Sequence, residues 1–448
     1  MSPALLLTFS IVAIILLSSR FKIHTFAVLV GLAMLVGLLA GMPSGEVLKH
    51  LRAGFGHTLE KIGLLVILGT ILGSLLDHSR ATHSLANAIL RRLGSERAPL
   101  AVLLMAFLVG LPIFCDSGFI VLSGLVLTLA RQLADRFPGR SIHLQLVLCL
   151  AGGLYAVHCL VPPHPGITAA LGVVGVDTGR MILLGTALAV PGTVVSFLWA
   201  RYASRRYPPE VPVHAFDDFK PDETTGPLPS AAGALAAILV PIGLIALKSI
   251  VSLSPALYPD VLLSLLNFIG DPVAALGVGI VLALFLFSSL SKTLFNELLE
   301  EAIVKAGPVL VIVGAGGAFG EIIRNLGLEN SLKSVVQQAG LGLLIPFGLT
   351  VLFKTAQGSS TVAVLSAATI LQPLLPTLGL ESEWEKLLAL AAMGAGSMTL
   401  SHANDAYFWV VARFGRIDTP TMFRTYSLLS LWMGLITFAC IWVIYLLL

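Results

Sequence analysis

Apolar blocks recur along this 448-residue chain near 3–19, 23–41, 61–76, 98–131, 143–175, 181–200, 230–251, 272–290, 306–323, 341–375, 387–412 and 421–446. Most suit a single helical crossing of a bilayer, which takes about 20 residues. Two blocks differ: 98–131 and 341–375 are split near the middle by polar and small residues. Each arm of about 14 residues would reach about 21 Å as a helix, short of a hydrocarbon core of roughly 30 Å. Both blocks are therefore predicted to be re-entrant hairpins. Blocks 143–175 and 387–412 carry a different signal, the islands Val161-Pro162-Pro163-His164-Pro165-Gly166 and Leu400-Ser401-His402-Ala403-Asn404-Asp405. Each backbone group left unsatisfied in lipid costs several kcal/mol, so helix-breaking sequence at membrane depth survives only where it lines a cavity. These two islands mark the expected centre of function.

Composition sets the class. With 56% hydrophobic residues, 11% charged residues and 43 glycines, the chain is predicted to be an all-α polytopic membrane protein. A formal charge of +3 is too small to indicate nucleic acid. Cys115, Cys149, Cys159 and Cys440 lack paired spacing, and although Cys159 lies near His158 and His164, buried thiols behave mostly as small hydrophobes. Neither a metal nor a cofactor is expected. The first apolar block lacks a preceding basic residue and a small-residue cleavage pattern, so it reads as a retained helix.

Basic residues orient the chain. Arg20, Lys22, Arg80, Arg91, Arg92, Arg97, Arg131, Arg136, Arg140, Arg201, Arg205, Arg206, Arg413, Arg416 and Arg424 share one side if each hairpin returns to the face it entered. The positive-inside rule makes that side the cytoplasm, with both termini outside and the hairpins entering from opposite faces. Lys49, Arg52, Arg324 and Lys333 fall on the outer face against the rule.

The halves are also alike. Gly175-Val176-Asp177-Thr178 with Met181 recurs as Arg416-Ile417-Asp418-Thr419 with Met422, and Leu72-Gly73 answers Phe319-Gly320. Asp116-Ser117-Gly118 at one hairpin tip answers Gln357-Gly358-Ser359-Ser360-Thr361 at the other. Each half reads as five crossings plus a hairpin, and an odd number of crossings inverts the second copy. The expected organisation is an inverted repeat over 1–200, a cytoplasmic linker over 201–229, and a second repeat over 230–448, each repeat with a re-entrant hairpin and a broken helix.

Some local features have plainer readings. Asp177 and Asp418 with Thr419-Pro420 read as helix N-caps. The run Gly314-Ala315-Gly316-Gly317-Ala318-Phe319-Gly320 has no preceding strand, so it reads as close helix packing and not as a phosphate loop. Asp116 is either a functional acid or a turn residue. Lys354, near the second tip, would either assist an anion or snorkel to the outer surface.

Pro162-Pro163-His164-Pro165-Gly166, Ala356-Gln357-Gly358-Ser359 with Thr361-Val362-Ala363, and Ser401-His402 with Asn404-Asp405 and Phe408-Trp409 together resemble the signature stretches of the gluconate permease family of proton symporters. The resemblance covers nearly the whole chain. It implies uptake of gluconate or a related sugar acid with protons across a bacterial inner membrane, and the wider superfamily of inverted-repeat carriers implies a dimeric elevator. The chain departs from the family beside Asp116 and at Ile167, positions where a change would alter substrate choice.

The expected site is Asp116, Ser117, Gly118, His164, Pro165, Gly166, Thr168, Gln357, Gly358, Ser359, Ser360, Thr361, His402, Asn404 and Asp405. Amino termini of half-helices carry about +0.5 of charge each and suit a carboxylate. Hydroxyl and amide side chains would bind a polyol tail and reject solutes lacking its hydroxyls. Moving a monoanion into a negative interior costs about 2.3 kcal/mol per 100 mV, which one co-transported proton removes. Asp116, Asp405, His164 and His402 are the candidate proton carriers, with sodium the rival ion. A membrane enzyme finds no support, because no nucleophile is paired with an activator, and a passive channel is the remaining alternative.

Overall fold

The computed structural model describes residues 3–136, 140–207, 228–252, 258–326 and 342–448, and these contain helices and no strand. Most of the 201–229 linker, and Lys333, lie outside the described residues. In chain order the helices are α1 (Pro3–Ile15), α2 (Thr25–Leu39), α3 (Ser44–His78), α4 (Ala81–Leu93), α5 (Ala98–Gly110), α6 (Cys115–Leu133), α7 (Ile142–Leu160), α8 (Pro165–Val174) and α9 (Thr178–Arg206). They continue as α10 (Ala231–Val251), α11 (Asp260–Ile269), α12 (Pro272–Leu284), α13 (Lys292–Arg324), α14 (Leu344–Gln357), α15 (Ser360–Leu371), α16 (Glu383–Met398), α17 (Ala406–Phe414) and α18 (Thr419–Leu447). Among the described residues, seven spans are long and apolar enough to cross a membrane, or eight if α11 and α12, bent by 66°, count as one.

The breaks fall where the islands predict them. Proline removes a backbone donor and clashes with the preceding turn, so α7 stops before Pro162-Pro163 and α8 restarts with Pro165 at its first position. Ser401 to Asp405 separate α16 from α17. The broken helices occupy the centre: 94% of the most apolar window across α7 and α8 is buried in protein, against 44% for α9 and for α18. A helix apolar on every face needs that position, whereas the outer helices show apolar sides to lipid.

Packing around this centre is reciprocal. α3 lies along α13, α2 packs on α13 and α12 on α3. α5 and α6 pack on α7 as α14 and α15 pack on α16, and α9 backs α7 as α18 backs α16. Small residues permit the close contacts. A Cβ on Gly54 would lie 2.9 Å from the Gly317 carbonyl carbon, so the 314–320 run is used for helix packing as expected. Gly69 meets Pro163, and Gly73 meets Pro112, with hypothetical Cβ contacts of 3.0 and 2.9 Å.

The two predicted N-caps form. Asp177 accepts a bond of 2.7 Å from the Arg180 amide, and Asp418 one of 3.0 Å from Thr421. Each follows a residue with positive φ, Gly175 at 79° and Arg416 at 50°. Met181 and Met422 are then both buried. Between segments, Arg180 pairs with Glu383, Arg324 reaches Gln372 at 3.1 Å, Lys248 approaches Asp271 at 3.6 Å, and Ser84 donates to the Pro229 carbonyl at 2.6 Å.

One expectation is corrected. Arms of 13, 14 and 12 residues in α5, α14 and α15 fit a half-crossing, but α6 runs for 19 residues. No proline follows Gly118 before its end, and 19 residues rise about 28 Å, so the first hairpin has one short and one nearly full-length arm. Hydropathy also passed over α4 and α11, which fill stretches between the apolar blocks.

Candidate functional site

The amino ends of α6, α8, α15 and α17 converge on one cavity of about 430 Å³, within the range of small-molecule sites. Cys115, Asp116 and Ser117 come from the first turn of α6, Pro165 from α8, Ser360 and Thr361 from α15, and Ala406 and Tyr407 from α17. Gln357, Ser359, Asn404 and Asp405 complete the polar wall. Nine of the fifteen expected residues therefore share the cavity: Asp116, Ser117, Pro165, Gln357, Ser359, Ser360, Thr361, Asn404 and Asp405.

The other six stand behind it. His164 Nε2 lies 2.6 Å from the Gly110 carbonyl at the end of α5, and His402 Nε2 lies 3.2 Å from the Thr355 carbonyl near the end of α14. A carbonyl only accepts, so each imidazole carries its proton on Nε2 and ties a broken helix to the hairpin of its own half. Asn404 donates to the same Thr355 carbonyl at 2.7 Å. Gly118 packs on Leu154, and Gly166 on the Thr361 backbone. Gly358, at φ 84°, abuts the Asn404 backbone where a side chain has no room. Thr168 is fully buried, with its hydroxyl unbonded among the described residues.

The second tip is held by charge. Lys354 is fully buried, which corrects the snorkelling reading. Its ammonium donates to Asp405 Oδ2 at 2.6 Å, to the Gly358 carbonyl at 2.5 Å and to Ser360 Oγ at 3.3 Å. An ammonium has three N–H donors, and all three are engaged inside the protein. Ser401 Oγ donates to the same Asp405 oxygen at 2.5 Å, while Asp405 Oδ1 accepts from the Tyr407 amide at 3.0 Å and so caps α17. Ser359 caps α15 by accepting from Val362.

The first tip lacks these bonds. Neither Phe114 nor His164 caps its helix with a side chain, which leaves first-turn amides of α6 and α8 unbonded by caps. Asp116 sits within the first turn of α6, past the cap, so the turn-residue reading does not describe its geometry. Among the described residues its carboxylate accepts one hydrogen bond, from the Cys115 thiol at 4.0 Å, with Asp405 and Lys354 within electrostatic reach. Across the cavity, both polar atoms of the Gln357 amide are buried without a partner among the described residues.

The expected set omitted several lining residues. Tyr155 bonds Ser360 Oγ at 2.7 Å, and Tyr407 donates to the Ala151 carbonyl at 3.1 Å. His158 stacks on Tyr155, and Lys305 reaches the cavity from α13. Aromatics in apolar segments resemble core residues, so periodicity gave no sign of them. Lys305 had a signal, a Glu301-to-Lys305 pair at helical spacing beside an apolar span.

Comparison with known proteins agrees with this geometry. The model of the GntP family permease matches residues 2–447. A gluconate permease of Pseudomonas aeruginosa is 33% identical over 93% of this chain and 92% of its own. The inner membrane permease YgbN of Escherichia coli is 32% identical over 97% and 96%. The crystal structure of the YdaH transporter of Alcanivorax borkumensis shares the fold, with a TM-score of 0.64 at 17% identity over 94% of this chain and 98% of that one. The cavity at the meeting point of two broken helices thus belongs to a multi-pass membrane transporter, not an enzyme, and the chain is a member of the GntP permease family.

Proposed function

We propose that this protein imports gluconate or a closely related sugar acid with protons across the bacterial inner membrane, by an elevator movement of a dimer. The observation that carries the reading is the convergence of four helix amino ends on a cavity lined by hydroxyl and amide side chains and one unpaired carboxylate. The ligand carboxylate takes the uncapped amides of α6, and its hydroxyls meet Ser117, Gln357, Ser359, Ser360, Thr361 and Asn404. The gluconate permease among the relatives supports the choice of ligand class.

Asp116 carries the proton. An anion at the amino end of α6 lies beside that carboxylate, and two like charges there repel unless Asp116 is protonated. Proton binding thereby becomes a condition of anion binding. Asp405 is a fixed counter-ion of Lys354, and His164 and His402 are positioning residues.

Reciprocal packing and the matched Asp177 and Asp418 caps support two inverted repeats over 1–200 and 230–448. Arg180 with Glu383, Arg324 with Gln372, and Lys248 with Asp271 each join ends assigned to one face, which supports the shared sidedness of these ends. Glycine and proline contacts between α3 and the first half of the site favour sliding over hinging.

Uptake of labelled gluconate by proteoliposomes tests the reading. Saturable accumulation driven by an inward proton gradient and abolished by protonophore is expected, with the compound recovered unchanged. Accumulation that follows a sodium gradient with protonophore present overturns proton coupling, and absence of uptake of any sugar acid overturns the ligand class.

A further inference from the structure

Among the described residues Lys305 is the one cation lining the cavity whose charge is not committed within the site, and it stands on α13 at the edge of the apolar block 306–323. An ionisable residue that reaches a cavity from the edge of a membrane span can mark an ion or substrate path. A narrow slot beside the cavity is lined by Thr70, Ser74 and Asp77 of α3 together with Phe114, Ser117 and Lys305, the last three of which also line the cavity itself. The Lys305 side chain therefore lies against the amino end of α6. Its ammonium is 2.6 Å from Glu301, one turn back on α13, and Glu301 is in turn 3.4 Å from His78 Nε2. These three side chains are each more than a third exposed, free to exchange partners as Lys354 is not.

The charges around the cavity now count. Lys354 balances Asp405, Lys305 pairs with Glu301 with the Asp77 carboxylate also in its field, and Asp116 has no cation bonded to it among the described residues. An incoming carboxylate adds one negative charge, and protonation of Asp116 removes one. The added anion still needs a counter-charge on desolvation. We propose that Lys305 supplies it: the ammonium leaves Glu301 for the ligand carboxylate at the amino end of α6, and the half-exposed Glu301 carboxylate is left to water. Lys305 is thus the residue that distinguishes an acid from its uncharged analogue. This inference rests on the sugar-acid reading of the same cavity and adds the identity of the anion's partner.

Binding of D-gluconate and of its uncharged amide, D-gluconamide, to the purified full-length protein tests it. Lys305→Gln should weaken gluconate binding by about tenfold, the scale of one charge-assisted hydrogen bond, and leave gluconamide binding unchanged. Lys305→Arg should restore most of the discrimination, and Glu301→Gln should tighten gluconate by removing the competitor. Lys305→Gln binding both ligands as the wild type does, or losing both equally, overturns the assignment, as does Glu301→Gln weakening gluconate. A wild type that binds neither compound removes the sugar-acid reading itself and this inference with it, a result distinct from failure of Lys305 alone.

Discussion

The two hairpin tips face one cavity from opposite halves of the chain, yet they are built on opposite principles. The second is tied in place: Lys354 spends its three donors on Asp405, Gly358 and Ser360, Ser401 adds a fourth bond to the cluster, and both local helix starts are capped by side chains. The first holds an acid whose one hydrogen bond among the described residues is from a thiol, and its two helix starts have no side-chain cap. A satisfied ion pair resists a change of protonation, because removing either charge strands the other. An unpaired carboxylate can take up and release a proton without dismantling its surroundings. On the reading proposed above, the difference gives rigidity to one half and proton exchange to the other.

The largest expected effect comes from cutting the tied half. Lys354→Met leaves Asp405 buried without its partner and should cost about 3–5 kcal/mol, read as a lowered unfolding midpoint together with complete loss of uptake. Adding Asp405→Leu should return part of the stability and none of the transport. A single variant as stable as the wild type would show that the pair does not hold the second tip. Next comes the bare half, where Asp116→Asn should fold normally. Gluconate exchange across proteoliposomes should persist in it while accumulation driven by a proton gradient disappears. Persistence of gradient-driven accumulation would move the proton elsewhere. The smallest effects sharpen the repeat itself: Asp177→Ala and Asp418→Ala should each cost about 1 kcal/mol of stability with KM unchanged. Asp177 should cost the more, since Ser249 also donates to it, at 3.1 Å.

Features set by local chemistry were legible before the fold was known. Proline at 162, 163 and 165 stops a helix whatever surrounds it, and Asp-Thr at 177 and 418 caps the helix that follows. Both breaks, the caps, the glycine packing run and most of the cavity wall followed from such signals. Features set by closure of the chain were not. The partner of Lys354 lies 51 positions away on another element, and nothing local decides whether a lysine near a helix end reaches water or a buried carboxylate. His164 and His402 sat in the right islands, but only the folded chain turns their rings toward the Gly110 and Thr355 carbonyls. Hydropathy also measured α6 too short, because Asp116, Ser117 and Gly118 dilute its apolar count without ending the helix.

Gly69 touches the Pro163 ring and Gly73 the backbone at Pro112, so at these two points α3 brings no side chain of its own to the contact. Lifting the two sides apart forfeits every van der Waals contact at once, whereas shifting one along the other trades each contact for a similar neighbour. On the elevator reading proposed above, the seam would act as a greased rail: stiff against prying, yielding to travel along its length.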